Sequence, residues 1–147
     1  MSVPSEVLKD LLKSNWLEAN VVQPEIVDVN LSTEAIGRYN FRTKDYAFIL
    51  AGREGEVETY RNVAYADNSF GIDIQIVTAN SRERLYELRS EIRRILRVKR
   101  LTPGTPDYQL IRYLGFNEAV LEELNVWKGT IRARFEVVGL YVSKGWE

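Results

Sequence analysis

Cysteine and histidine are both absent from this 147-residue chain, and the two absences remove most familiar site chemistry. Without cysteine there is no disulfide, no thiolate nucleophile, no structural zinc of the usual kind and no iron–sulfur cluster. Without histidine the chain lacks the side chain whose ordinary pKa best suits acid–base work near neutrality. Serine triads and two-histidine metal sites go with it. Carboxylates, Lys and Tyr survive as catalysts in principle, but no catalytic constellation emerges, and the chain is read as no enzyme, without cofactor or metal. Long apolar runs are missing too: none approaches the roughly 20 residues that span a bilayer, so no membrane partner is expected. Acidic residues break up the opening MSVPSEVLKDLLKSNW, which therefore lacks the pattern of a secretory signal. Asn30-Leu31-Ser32 is then read as a chance sequon.

What is present is ordinary for a folded chain: 45% apolar and 28% charged residues. The length suits one domain over 1–147 with a core of its own. Pro4 fits a first helical turn, with Ser2 or Ser5 as cap, and Val7, Leu8, Leu11 and Leu12 then form one face of a short helix ending near Asn15. EIVDVN reads as a strand over 25–30. LSTEAIGRYNFRTKD has no clean period and reads as a long loop or arm over 30–44. DYAFILAG alternates Tyr46, Phe48 and Leu50 with Ala47, Ile49 and Ala51, GREGE reads as a turn, and VETYRNVAYA as a weaker strand. FGIDIQIVTA is the clearest strand, with Ile72, Ile74 and Ile76 on one face and Asp73 and Gln75 on the other. Asn80 or Ser81 caps a long helix on which Leu85, Leu88, Ile92, Ile95 and Leu96 share one stripe. After the breaker LTPGTPD, YQLIRYLG reads as a strand and FNEAVLEELNVWKG as a helical turn or two. TIRARFEVVGLYV closes as a strand before the tail at 143–147. The expected fold is α+β: a largely antiparallel sheet with one long and one short helix packed on one face.

Charge is sorted along the chain. Residues 1–81 carry seven Lys/Arg and twelve Asp/Glu, residues 82–100 carry eight and three, and the remainder five and six. The middle segment is thus +5 in a chain whose total is −1. At about 100° per residue, Arg82, Arg89, Arg93, Arg97 and Arg100 gather on one flank of the apolar stripe with Tyr86 among them. Glu83, Glu87 and Glu91 line the other flank, interrupted by Arg84 and Arg94. Three readings fit. A charged helix face is usually just solvated. The Arg-rich helix 81–100 could neutralise phosphates, with Tyr86 stacking on a base, as a nucleic-acid-binding module does. Or a helix with one positive and one negative flank could pair head to tail with copies of itself, contacts that close into rings. In that third reading Arg82, Tyr86, Arg89, Arg93, Arg97, Glu83, Glu87 and Glu91 form the subunit interface.

Other candidates are weaker. Glu54, Glu56 and Glu58 alternate as oxygen ligands on one strand face would, but solvated carboxylates explain them. Gly52 and Gly55 belong to no phosphate-binding motif. Trp16 and Trp127 fit a core or edge-packing role, whereas Trp146, in the polar tail SKGWE, fits an interface anchor.

The order of DYAFILAG, GIDIQIVTANSRERLYELRSEIRRIL, a proline-rich break, YQLIRYLG and GTIRARFEVVGLYV resembles the tail-completion proteins (tail terminators or head–tail connectors) of long-tailed bacteriophages and related archaeal viruses. The likeness covers most of residues 44–142. It implies a virion structural protein, assembled in the host cytoplasm, that forms a ring, typically of six copies, at the neck or tail end. Its partners would be itself as a cyclic homo-oligomer, tail-tube or neck proteins, and DNA passing through the lumen without sequence-specific contact. Arg38, Tyr39, Phe41 and Arg42 of the long loop, and Trp146 of the tail, would then form the arm that meets the tube or an adjacent ring.

Overall fold

Leu8, Leu11 and Leu12 are buried on one face of a helix, α1 (Pro4–Asn15), which packs them against the sheet. Here a computed structural model describes residues 3–28, 44–105, 107–121 and 126–141. The expected arm at 30–44, apart from Lys44, and the tail at 143–147 lie outside the described residues. Ser2 lies outside the described residues, and Ser5 does not cap α1: the N-cap is Val3, and the Ser5 hydroxyl instead donates to Asp28 at 2.9 Å. The long helix, α2 (Arg82–Val98), is capped by Ser81 rather than Asn80, its hydroxyl accepting the Arg84 N–H at 3.1 Å. Ser81→Ala should cost about 1 kcal/mol in urea unfolding and Ser81→Asp almost nothing. Equal stability of the alanine variant would mean that the cap contributes nothing.

Five strands among the described residues, β1 (Glu25–Asp28), β2 (Tyr46–Tyr60), β3 (Tyr65–Thr78), β4 (Leu110–Leu121) and β5 (Val126–Tyr141), pair in the order β1-β2-β3-β5-β4. All pairs are antiparallel except β1 with β2. The fold is α+β, a largely antiparallel sheet with both helices on one face. Alternation puts Ala47, Ile49, Ile72, Ile74, Ile76, Ile131, Ala133 and Phe135 under the helices, where they meet Leu85, Leu88, Ile92, Ile95 and Leu96. On the opposite face Tyr46, Phe48, Val77 and Val126 form a second buried cluster, the Tyr46 and Phe48 rings stacked 5.5 Å apart.

Three segments differ from their sequence reading, one of them VETYRNVAYA, which is no single strand, since β2 ends at Tyr60 and β3 begins at Tyr65. GREGE is no turn: β2 runs through it as a wide bulge, in which the four residues from Gly52 to Gly55 stand opposite Gly71 alone. Gly55 there has φ of 56°, a conformation that costs glycine nothing. The chain reverses only at Arg61–Ala64, where Asn62 Oδ1 accepts the Ala64 and Tyr65 amides at 2.8 and 3.1 Å. The described parts of FNEAVLEELNVWKG are not helical either. Phe116 to Leu121 continue β4, opposite Ile131 back to Val126 of β5.

The bulge therefore separates a helix-covered part of β2–β3 from a ribbon in which Glu56–Tyr60 pairs with Ala66–Phe70. Residues 56 to 63 of this ribbon are all exposed, Val63 at 94%. Its base is fixed by Phe70, Tyr108 and Phe135, with Tyr108 centroids 5.5 and 4.7 Å from its two neighbours. Nearer the turn, Arg61 pairs with Asp67 at 2.7 Å, and the Gly139 amide donates to the same carboxylate at 2.9 Å. These two contacts, Arg61 first, hold Asp67 below its usual carboxylate range.

Candidate subunit interface

A helix laid antiparallel along a strand exposes one of its flanks above that strand, and three contacts place α2 over β4 in this way. Arg82, at the start of α2, holds Glu118 through Nε to Oε2 at 3.2 Å and Nη2 to Oε1 at 2.5 Å. One turn on, the Tyr86 ring stands edge-on to Phe116 with centroids 5.5 Å apart. Past the other end of α2, Arg100 O accepts the Ile111 amide at 2.8 Å. The Arg89 guanidinium lies 5.5 Å from the Tyr86 centroid and 5.8 Å from that of Phe116, a cation–π geometry. Arg82, and after it Tyr86, hold Glu118 below the usual carboxylate range.

Arg82, Tyr86, Arg89, Arg93 and Arg97 thus come together, as the spacing predicts, on the flank that overhangs β4. Beyond Arg82 no described carboxylate neutralises the row. The side chains of Arg93, Arg97 and Arg100 have no ion-pair or hydrogen-bond partner among the described residues, and Arg89 Nε is buried without one. Below the row, β4 is an edge strand of 12 residues with Leu114 bulged and 47% exposed. No described strand pairs with its outer edge.

The acidic flank is a different matter, and one of its members is corrected. Glu91 is 2% exposed and belongs to a seam between α2 and the chain leaving α1. Its Oε1 accepts from Arg94 Nε at 2.7 Å and Asn20 Nδ2 at 2.9 Å. Its Oε2 accepts from the Leu17 amide at 2.7 Å and Arg94 Nη2 at 2.8 Å. Arg94 Nη2 also donates to Asn15 O at 2.7 Å. Burial pushes the Glu91 carboxyl up, but the hydrogen bonds from Arg94, Asn20 and Leu17 together outweigh it and hold its pKa at about 2. A carboxylate so fully occupied is no subunit contact. Arg84 serves the same seam, reaching Asp45 at 2.7 Å and Val22 O at 3.1 Å, while Thr78 donates to the other Asp45 oxygen at 2.6 Å. Glu83 and Glu87 stay exposed, Glu87 within 3.9 Å of Arg84. The helix therefore presents one basic outer flank and closes most of its mixed flank internally.

Trp16 is a core residue, 8% exposed, whose indole N–H donates to Val21 O at 2.8 Å, and Trp127 packs at the core margin. Arg38, Tyr39, Phe41, Arg42 and Trp146 lie outside the described residues. An apolar cleft of about 350 Å³ between the start of α1 and the β2 bulge holds one carboxylate, Asp28, already bonded to Ser5. Among the described residues no three His, Cys, Asp or Glu side chains gather as a metal site would need, and no helix is long and apolar enough to cross a membrane. Sequence reasoning missed the β4 edge and the projecting β2–β3 ribbon. The ribbon's signal was the strand-like spacing of Val57 and Thr59 in EVETY, whereas YLGFNEAVL, interrupted by Gly115, Asn117, Glu118 and Ala119, carries no clear strand signal. No protein-family model matches the chain, and no curated protein matches it.

Proposed function

We propose that this chain is a non-enzymatic assembly protein whose copies associate head to tail into a closed ring. The observation that carries the reading is a row of arginine side chains with no ion-pair partner among the described residues, above an edge strand of 12 residues that no described strand covers. Native proteins blunt long edges with proline, charge or a covering segment. β4 contains no proline and two charged residues, Arg112 and Glu118, both paired within the sheet-and-helix frame. An arginine row without carboxylates is costly to leave self-repelling and is neutralised by a partner of opposite charge.

The resemblance in element order to tail-completion proteins supplies the setting: a virion, at the head–tail connector or tail end, with tail-tube or neck proteins as further partners and DNA in the lumen. A ring subunit of that kind needs no catalytic group. The test is sedimentation velocity of the purified chain over a range of protein and salt concentrations. A discrete oligomer that loosens with salt, and shows cyclic symmetry when imaged, is expected. A monomer at every concentration would overturn the reading. If that monomer also bound mixed-sequence DNA with steep salt dependence, the arginines would belong to phosphate neutralisation instead.

A further inference from the structure

The ring reading leaves open what covers the β4 edge, and a second surface of the same chain has complementary chemistry. β1 pairs only with Tyr46 to Ile49 of β2, so no described strand covers the outer edge of β2 at Glu56–Tyr60. This ribbon is acidic: residues 54–67 hold three Glu and one Asp against one Arg. Its exposed apolar side chains are Val57, Tyr60, Val63 and Tyr65, and Leu114 is exposed on β4 below the arginine row.

Strand parity decides which way the acids point. Glu56 pairs with Phe70 and Glu58 with Asn68, and Phe70 packs on the core under the helices, so both carboxylates project on the helix side of the sheet. Asn68 Nδ2 donates to Glu56 Oε1 at 2.9 Å, in keeping with that parity. The overhanging arginines stand on the same side. Direction also fits. β2 and β5 both run antiparallel to β3, and β4 runs antiparallel to β5, so β4 and β2 of successive, similarly oriented copies meet antiparallel.

We infer, building on the ring reading, that the outer edge of β2 at Glu56–Tyr60 of one copy adds to the outer edge of β4 of the next. One sheet then continues through successive subunits, and Glu56 and Glu58 seat against Arg93 and Arg97 of the neighbour's α2. The pairing of β4 with β4 about a two-fold axis is disfavoured, because it would bring two arginine rows together. The head-to-tail contact joins two different surfaces, as ring closure requires.

The experiment compares the wild-type chain, Glu56→Arg/Glu58→Arg and Arg93→Glu/Arg97→Glu by sedimentation velocity, with circular dichroism to check folding. Each charge-reversed protein alone should associate at least about tenfold more weakly than wild type. An equimolar mixture of the two should recover wild-type association, because every contact then again pairs opposite charges. Amide exchange in β4 should slow on assembly of the wild type and stay fast in either variant alone. If wild type assembles and both variants assemble equally well, this contact is wrong while the ring reading stands. Assembly that responds to the swaps without protecting the β4 amides would overturn the continuous sheet. A monomeric wild type would sink both proposals together.

Discussion

Arg94→Met is expected to lower the stability of the fold by about 3 kcal/mol, the scale on which breaking a buried ion pair leaves its partner uncompensated. Glu91, 2% exposed, would keep the Leu17 and Asn20 donors but lose both bonds from Arg94. The Asn15 carbonyl at the end of α1 would lose a donor as well. Denaturant unfolding at neutral pH measures the loss, and Glu91→Met/Arg94→Met should recover part of it, since no charge is then stranded. The same pair predicts an acid limb. The Glu91 pKa is lowered from 4.5 to about 2 in the fold. A carboxyl held down in this way contributes stability that is fully present above pH 4.5 and lost as pH falls toward 2. At about 1.4 kcal/mol per tenfold change in proton affinity, the contribution is about 3 kcal/mol. The wild type should lose that much between those limits and Arg94→Met distinctly less. Parallel acid limbs for the two proteins would show that the pair does not link α1 to α2.

The sequence shows half of this seam. Period 3.6 over 82–98 locates α2, its apolar stripe and the arginine flank, because a helix packed on a sheet must sort its residues by angle. The same period places Glu91 on an acidic row but says nothing of what lies opposite. Leu17 and Asn20 are 74 and 71 positions away in the chain, and no local pattern encodes that contact. Similarly, Ile72, Ile74 and Ile76 declare β3 by alternation, whereas the second half of β4 falls in the run NEAVLEEL, rich in Leu, Glu and Ala, whose intrinsic preference is helical. Pairing with β5 from Ile131 to Val126 overrides that preference. GREGE looks like a turn because glycine marks turns. A wide bulge uses the same residue for the same freedom of φ, and only the register against Gly71 distinguishes the two. The candidate interface inherits this division: its arginines are legible, while the strand edge beneath them and the acidic ribbon facing the same side emerge only from the pairing.

Gly129→Ala is the second large effect, and it tests how far the arginine row depends on packing beneath it. Gly129 pairs with Ile76 on one side and Glu118 on the other, and an added Cβ would overlap the Phe116 ring and touch Leu85 Cδ1 at 3.5 Å. In a strand, alanine would otherwise be slightly favoured over glycine, so a net loss must come from displacing the ring. That ring is held by Tyr86 at 5.5 Å and Arg89 at 5.8 Å, and the expected cost is about 2 kcal/mol, in the range for overpacking a filled site. Phe116→Leu should cost less alone and make Gly129→Ala almost neutral, a non-additivity that equilibrium unfolding of the four proteins would measure. Equal cost of Gly129→Ala in both backgrounds would place its strain elsewhere. A displaced Phe116 also removes the surface on which Tyr86 and Arg89 rest. Gly129→Ala should therefore weaken self-association in sedimentation without altering a single charge, at protein concentrations and temperatures where it remains fully folded. Undiminished association there would mean that Arg93 and Arg97 act from the helix alone, independent of the aromatic pair that orients the first half of the row.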